Sequence, residues 1–231
     1  MATSLLTLRT RARTRADAVG NNFFSDSEID DYLNIGLGEL HDLLVLKFED
    51  YYVSSVEFSL VSGQSNYTFS AIECTDFYKC LGVDATDSGE TIRVRRFSFP
   101  ERDRYVATAI TGRGGYTDYQ YQIRGDSIEF IPEPNSTSTI KFWYIPSFSR
   151  LNFDEDEISS SIVANWEEFA VITAVYKMKE KEELSTTVVE RELEAIRARI
   201  ESAASNRDAG ESEGISDELT GTRSGWLRAF R

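Results

Sequence analysis

The sequence predicts an α+β fold in which N- and C-terminal helices form a helical bundle and carry an inserted antiparallel β-sandwich or rolled sheet. Three observations lead there. Apolar residues recur at helical spacing over the first fifty residues and again from Ile162 to Ala204, while the stretch between them alternates with period two. The chain then divides into a helical body of residues 1–50 and 158–205, a β-rich insertion of residues 51–150 and a C-terminal arm of residues 206–231.

Leu5, Leu8, Ala12, Ala16 and Val19 fall on one helical face, with Arg9, Arg11, Arg13 and Arg15 divided between its flanks. An arginine-rich helix could grip phosphates, but cations flanking a docked helix are the commoner arrangement. Gly20, Asn21 and Asn22 end it. Ser25 followed by Glu28 is a capping-box signature, Asp26 suits the first turn, and Ile29, Leu33, Leu37, Leu40 and Leu44 supply the next stripe. Gly36 and Gly38 weaken this helix locally and let a neighbouring helix come close.

From Tyr51 the period changes to that of strands. Val53, Val56, Phe58 and Leu60 mark one, Ser62 to Gln64 turn the chain, and Tyr67 to Phe69 are expected to return antiparallel to it. Phe77 to Val83 and Thr91 to Phe97 form a pair around Asp87, Ser88 and Gly89. Gly112, Arg113, Gly114 and Gly115 lack the lysine and hydroxyl residue of a phosphate loop and read as a mobile tip. Tyr119, Tyr121 and Ile123, the turn at Gly125 and Asp126, and Ile128, Phe130 and Ile131 make the clearest hairpin, which Pro132 and Pro134 stop. Ile140, Phe142 and Tyr144 line a last strand. Six to eight strands result.

Ile162, Trp166, Phe169, Thr173 and Tyr176 form one helical stripe, and Val189, Leu193, Ile196, Ile200 and Ala203 a second, with a break at Leu184 to Thr187. Each helix is read as having one apolar stripe and one charged face, so each needs a partner. Past Ala204 the chain turns to Gly, Ser, Asp and Glu and should be flexible in isolation. Its tip differs. Arg223, Trp226, Leu227, Arg228, Phe230 and Arg231 combine aromatic and cationic residues in the manner of a docking peptide.

No catalytic constellation is visible. His41 is the single histidine, and no nucleophile elbow, Walker sequence or dinucleotide fingerprint accompanies it, so no cofactor is expected. Cys74 and Cys80 match no zinc spacing and read as reduced small hydrophobes. Asp154 to Glu157 lack the alternating ligands of a calcium loop and read as a solvated acidic linker into a helix, so no metal is expected either. Glu167 with Glu168 and Glu182 with Glu183 are placed on a solvent face. Arg124, Gly125 and Asp126 spell an integrin-binding tripeptide whose last two residues the turn already uses. The net charge of −14 argues against nonspecific wrapping of DNA, and no apolar run is long enough to span a membrane. No secretory leader is expected, and synthesis in a cytoplasm is the default.

The order of elements, the Y-x-I-x-G-D-x-I-x-F-x-P hairpin of Tyr121 to Pro132, the strand ending at Tyr144, Ile145 and Pro146, and Trp166 opening a helical pair resemble tailed-phage head-to-tail adaptor proteins. The opening Thr10 to Ala18, then Phe24, Ser25, Asp26, Glu28, Ile29, Tyr32, Leu33 and Asn34, is similar to the start of many of them. The likeness covers roughly residues 3 to 205 in layout. It implies a non-enzymatic virion protein made in the host cytoplasm and forming a ring, commonly of twelve copies, beneath the portal protein in the neck. Such a ring extends the channel through which genomic DNA passes without specific binding, and carries tail or nozzle proteins below. It also implies that the C-terminal arm reaches the portal. The other reading is a carbohydrate-binding or hydrolytic module of a phage tail, motivated by Tyr116, Tyr119, Tyr121 and Tyr144 and by the many acids.

Overall fold

Helix α1 spans Leu5–Arg15 and starts at Ser4, whose side-chain oxygen accepts from Thr7 N. A computed structural model describes residues 3–20, 23–48, 51–87, 89–101, 119–134, 137–158 and 166–205. Leu5, Leu8 and Ala12 are buried and Ala16 is half-buried against the same core, as their spacing predicts, but the stripe stops there. Asp17 takes φ 57°, which turns the chain off the helical register. Val19 is consequently 72% exposed and Ala18 is buried in its place.

Helix α2, Asp26–Lys47, is capped by Ser25, which accepts from Glu28 N at 3.2 Å. Its stripe of Ile29, Leu33, Leu37, Leu40 and Leu44 is shut away from solvent. The Glu28 carboxylate accepts from Tyr32 and Lys181. At Gly36 a Cβ would stand 2.7 Å from the Ala170 Cα, so the glycine does permit the close helix approach expected of it.

The strands are β1 Ser54–Ser59, β2 Asn66–Thr68, β3 Phe77–Asp87, β4 Glu90–Arg96, β5 Gln120–Arg124, β6 Ser127–Ile131 and β7 Thr139–Pro146, with a 3-10 turn at Phe99–Glu101. They form one seven-stranded sheet in the order β1-β7-β3-β4-β5-β6-β2. Two expectations need correction. The sheet is mixed, because β4 and β5 run parallel through Arg95↔Gln120 and Arg96↔Tyr121. And β2 does not return along β1; it pairs with β6, at the opposite edge.

That edge-to-edge connection explains the curl. The seven Cα steps from Ser59 to Asn66 reach at most about 25 Å, whereas the six interstrand gaps of a flat sheet would span about 29 Å. The sheet must roll to bring its margins together. Phe58 of β1 accordingly meets Tyr67 of β2 at 5.3 Å and Phe130 of β6 at 6.3 Å between ring centroids, and Val83, Ile128, Ile140 and Phe142 fill the same core.

Helices α3, Glu168–Lys181, and α4, Thr187–Ser205, complete the α+β fold. α3 is not the one-sided helix expected. Phe169 to Val175 are all buried, because α1, α2 and α4 pack around it. In α4, Val189 and Ile200 are buried, Leu193 and Ile196 are half-buried, and Ala204 takes the inward place expected of Ala203. Tyr51 and Trp166 pack with the C-terminal half of α2 and with Ile200 and Ala204 of α4. Ile162 lies outside the described residues.

Candidate functional site

The expected docking tip of Arg223, Trp226, Leu227, Arg228, Phe230 and Arg231 lies outside the described residues, as does the glycine-rich stretch of Gly112 to Gly115. Three other features carry charge or concavity.

The first is the arginine face of α1. Arg9 donates to Asp30 and Asp154 at 2.7 to 2.8 Å. Arg13 donates to Asp26 and to the Phe24 carbonyl, Arg11 lies 3.4 Å from Glu167, and Arg15 pairs with Glu168 and Glu192. Every guanidinium is therefore neutralised by another element, and the helix is docked through its cations rather than left to grip phosphate. The hydrogen bonds that Arg9 donates to Asp30 raise its pKa further, against the opposing effect of burial. Arg13 holds Asp26, and Lys181 holds Glu28, below the usual carboxylate range. Glu167, expected in solvent, is only 8% exposed because it faces α1.

The second is a groove of about 630 Å³ between α2 and residues 146–158, with Leu37, His41, Tyr52, Phe148 and Phe153 among its walls. His41 is buried, stacks on Tyr52 at 4.9 Å and donates from Nε2 to the Pro146 carbonyl. Asn34 clamps the far wall, donating to the Leu151 carbonyl and accepting from Leu151 N. The acidic run behind it is not merely a solvated linker. The carbonyls of Asp154 and Asp156 accept from Leu6 N and Leu5 N, satisfying the free N–H groups that open α1, and the Asp156 carboxylate accepts from Asn152 N and Phe153 N. Among the described residues no group of His, Cys, Asp and Glu is placed to hold a metal.

Away from the groove, the sheet core that holds Cys74, Cys80 and Tyr144 offers little for nucleophilic chemistry. Burial pushes the Cys74 thiol up to about 11 and raises Cys80 as well, so neither is a ready thiolate. Burial, then the hydrogen bond to Asp76, takes Tyr144 up to about 12. Gly125 takes φ 54° in the β5–β6 turn, Asp126 accepts there from Phe69 N through its carbonyl, and Arg124 is paired with Glu129. The tripeptide is thus structural.

The third feature is β4, where Ile92, Arg93, Arg95 and Arg96 are exposed around buried Val94. Sequence reasoning passed over these arginines because it read the strand for its apolar residues. The signal was available: three cations within four residues of an otherwise acidic chain.

Residues 3–215 match the model of the SU10 adaptor protein family. No curated protein matches the chain.

Proposed function

Because the chain belongs to the SU10 adaptor protein family, we propose that it is a non-enzymatic head-to-tail adaptor of a tailed-phage virion, made in the host cytoplasm and seated in the neck. Copies form a ring, twelvefold in this reading, beneath the portal protein, extend the DNA channel and present a platform to tail or nozzle proteins. The helical body of residues 1–50 and 158–205 builds the ring, the insertion of residues 51–150 projects from it, and the arm from residue 206 anchors on the portal through Arg223, Trp226, Leu227, Arg228, Phe230 and Arg231.

The family match over residues 3–215 is the observation that carries this reading. The charge is in keeping with it. An acidic wall, at −14 per chain, repels phosphates and lets duplex pass without sticking. The glycan-binding reading is weakened, since three of its four tyrosines, Tyr119, Tyr121 and Tyr144, are largely buried in the sheet core; Tyr116 lies outside the described residues. Electron microscopy of the protein mixed with the portal of its own virion tests the proposal. A ring on the portal is expected, and a protein that stays apart from portal at all ratios overturns it.

A further inference from the structure

The groove between α2 and residues 146–158 joins apolar walls to acid. Phe153 is 69% exposed on it and Phe148 is half-buried. Asp76, Asp156 and Glu157 line it together with Arg150, whose charge is already taken by Asp31. Its volume of about 630 Å³ lies within the ~300–1,000 Å³ of ligand clefts.

The chain carries a segment of matching chemistry. Residues 223–231 hold Arg223, Arg228 and Arg231 with the apolar Trp226, Leu227 and Phe230, and no acidic side chain. The stretch before them is net acidic, with Asp208, Glu211, Glu213, Asp217 and Glu218. The carboxylates of the groove therefore favour the tip of the arm and repel the rest of it. The root of the arm stands close by. α4 ends at Ser205, Ala204 packs in the cluster of Leu40 and Leu44, and Tyr52, which packs against that cluster, is also a wall of the groove. Trp226 follows Ser205 by 21 residues, and a Gly- and Ser-rich linker of that length has a typical end-to-end distance of about 25 Å. The tip thus meets its own groove at a local concentration on the order of 1 mM.

We propose that residues 223–231 dock in the groove of their own chain before assembly, the aromatic side chains against Phe148 and Phe153 and the arginines facing Asp76 and Glu157, and that portal draws them out. The groove is a holding site that keeps an aromatic and cationic tip off other surfaces until portal offers a better one. Only the release rests on the adaptor reading; the docking does not. Ordering a loose segment draws on enthalpy against an entropic cost, so the dock loosens on heating and the tip is free before the body melts.

Fluorescence anisotropy of a labelled peptide of residues 223–231, titrated with the full chain and with the chain cut after residue 222, tests the dock. The cut chain is expected to bind the peptide about fivefold more tightly, because the tip of the full chain competes at millimolar local concentration. Salt weakens that binding. In the cut chain Phe153→Ala and, separately, Glu157→Lys each weaken it at least about fivefold; both side chains are exposed, so neither change threatens the fold. In the full chain Phe153→Ala strengthens attachment to portal by up to about fivefold, since the arm no longer has to leave the groove. Equal affinity of the peptide for the two chains overturns the dock, as does absence of binding or binding that neither variant alters. A full chain that sediments as a dimer where the cut chain does not places the tip in a second copy and overturns docking within one chain. Portal attachment unchanged by Phe153→Ala overturns the release. A full chain that never binds portal overturns the adaptor reading and leaves the peptide result standing.

Discussion

Gly36 shows how much a single missing methyl group can matter. Its Cβ position is 2.7 Å from backbone of α3, which cannot swing aside as a side chain would. Gly36→Ala is expected to destabilise the fold by about 1–3 kcal/mol through overpacking, despite alanine's better helix propensity, and a thermal melt reads it. Arg9 is the polar counterpart. It is 8% exposed and joins α1 to Asp30 of α2 and to Asp154 of the linker. Arg9→Ala should cost about 2 kcal/mol, because charged hydrogen bonds are lost and Asp30 is left without its cation. Asp26 and Glu28 add a pH dependence. Their folded pKa values are depressed by Arg13 and Lys181, so their stabilisation is fully present above the unfolded-state values and is lost as pH falls through the folded ones. The melting temperature should hold near neutrality and fall below about pH 4. Glu28→Gln should lower the neutral value and flatten that acid decline.

Among the elements, the segment from Ser147 to Ile158 depends least on regular structure and does most to join the sheet to the helices. Asn34 holds it through both backbone groups of Leu151, and Leu151 and Ile158 enter the core of α1, α2 and α3. Asn34→Ala leaves those buried groups unpaired and is expected to cost about 2–3 kcal/mol. Hydrogen exchange should show the loss first at Leu151 and at the amides of Leu5 and Leu6. Periodicity revealed α2 almost residue for residue, because both its cap and its stripe are local properties. It misjudged α3. A helix enclosed by three others and a helix with one stripe look alike when Lys177, Lys179 and Lys181 gather at one end, and only the neighbours decide how far the apolar surface extends.

For the molecule as a whole, the division between a folded body and its terminus is the matter to test. Deleting residues 223–231 is expected to leave circular dichroism and the melting temperature unchanged while reducing attachment to portal at least about tenfold, as loss of an aromatic and arginine anchor would. Unaltered attachment would remove the anchor from the adaptor reading. The same scale explains why β2 was misassigned. Its three residues are too few to choose their own partner, and pairing with β6 in place of β1 is a property of the whole sheet, which rolls to bring its margins together.

Residue spacing by itself determined the α+β class, the Ser25 cap of α2, the turn at Gly125 and Asp126 and nearly every strand, since each of these is settled by neighbours within a few positions. Tertiary structure alone decided that the α1 arginines are matched by carboxylates up to 177 positions away and that backbone carbonyls of the acidic run cap α1. Those outcomes depend on which charges folding brings within a few ångströms, and Coulomb attraction acts through space without regard to order along the chain.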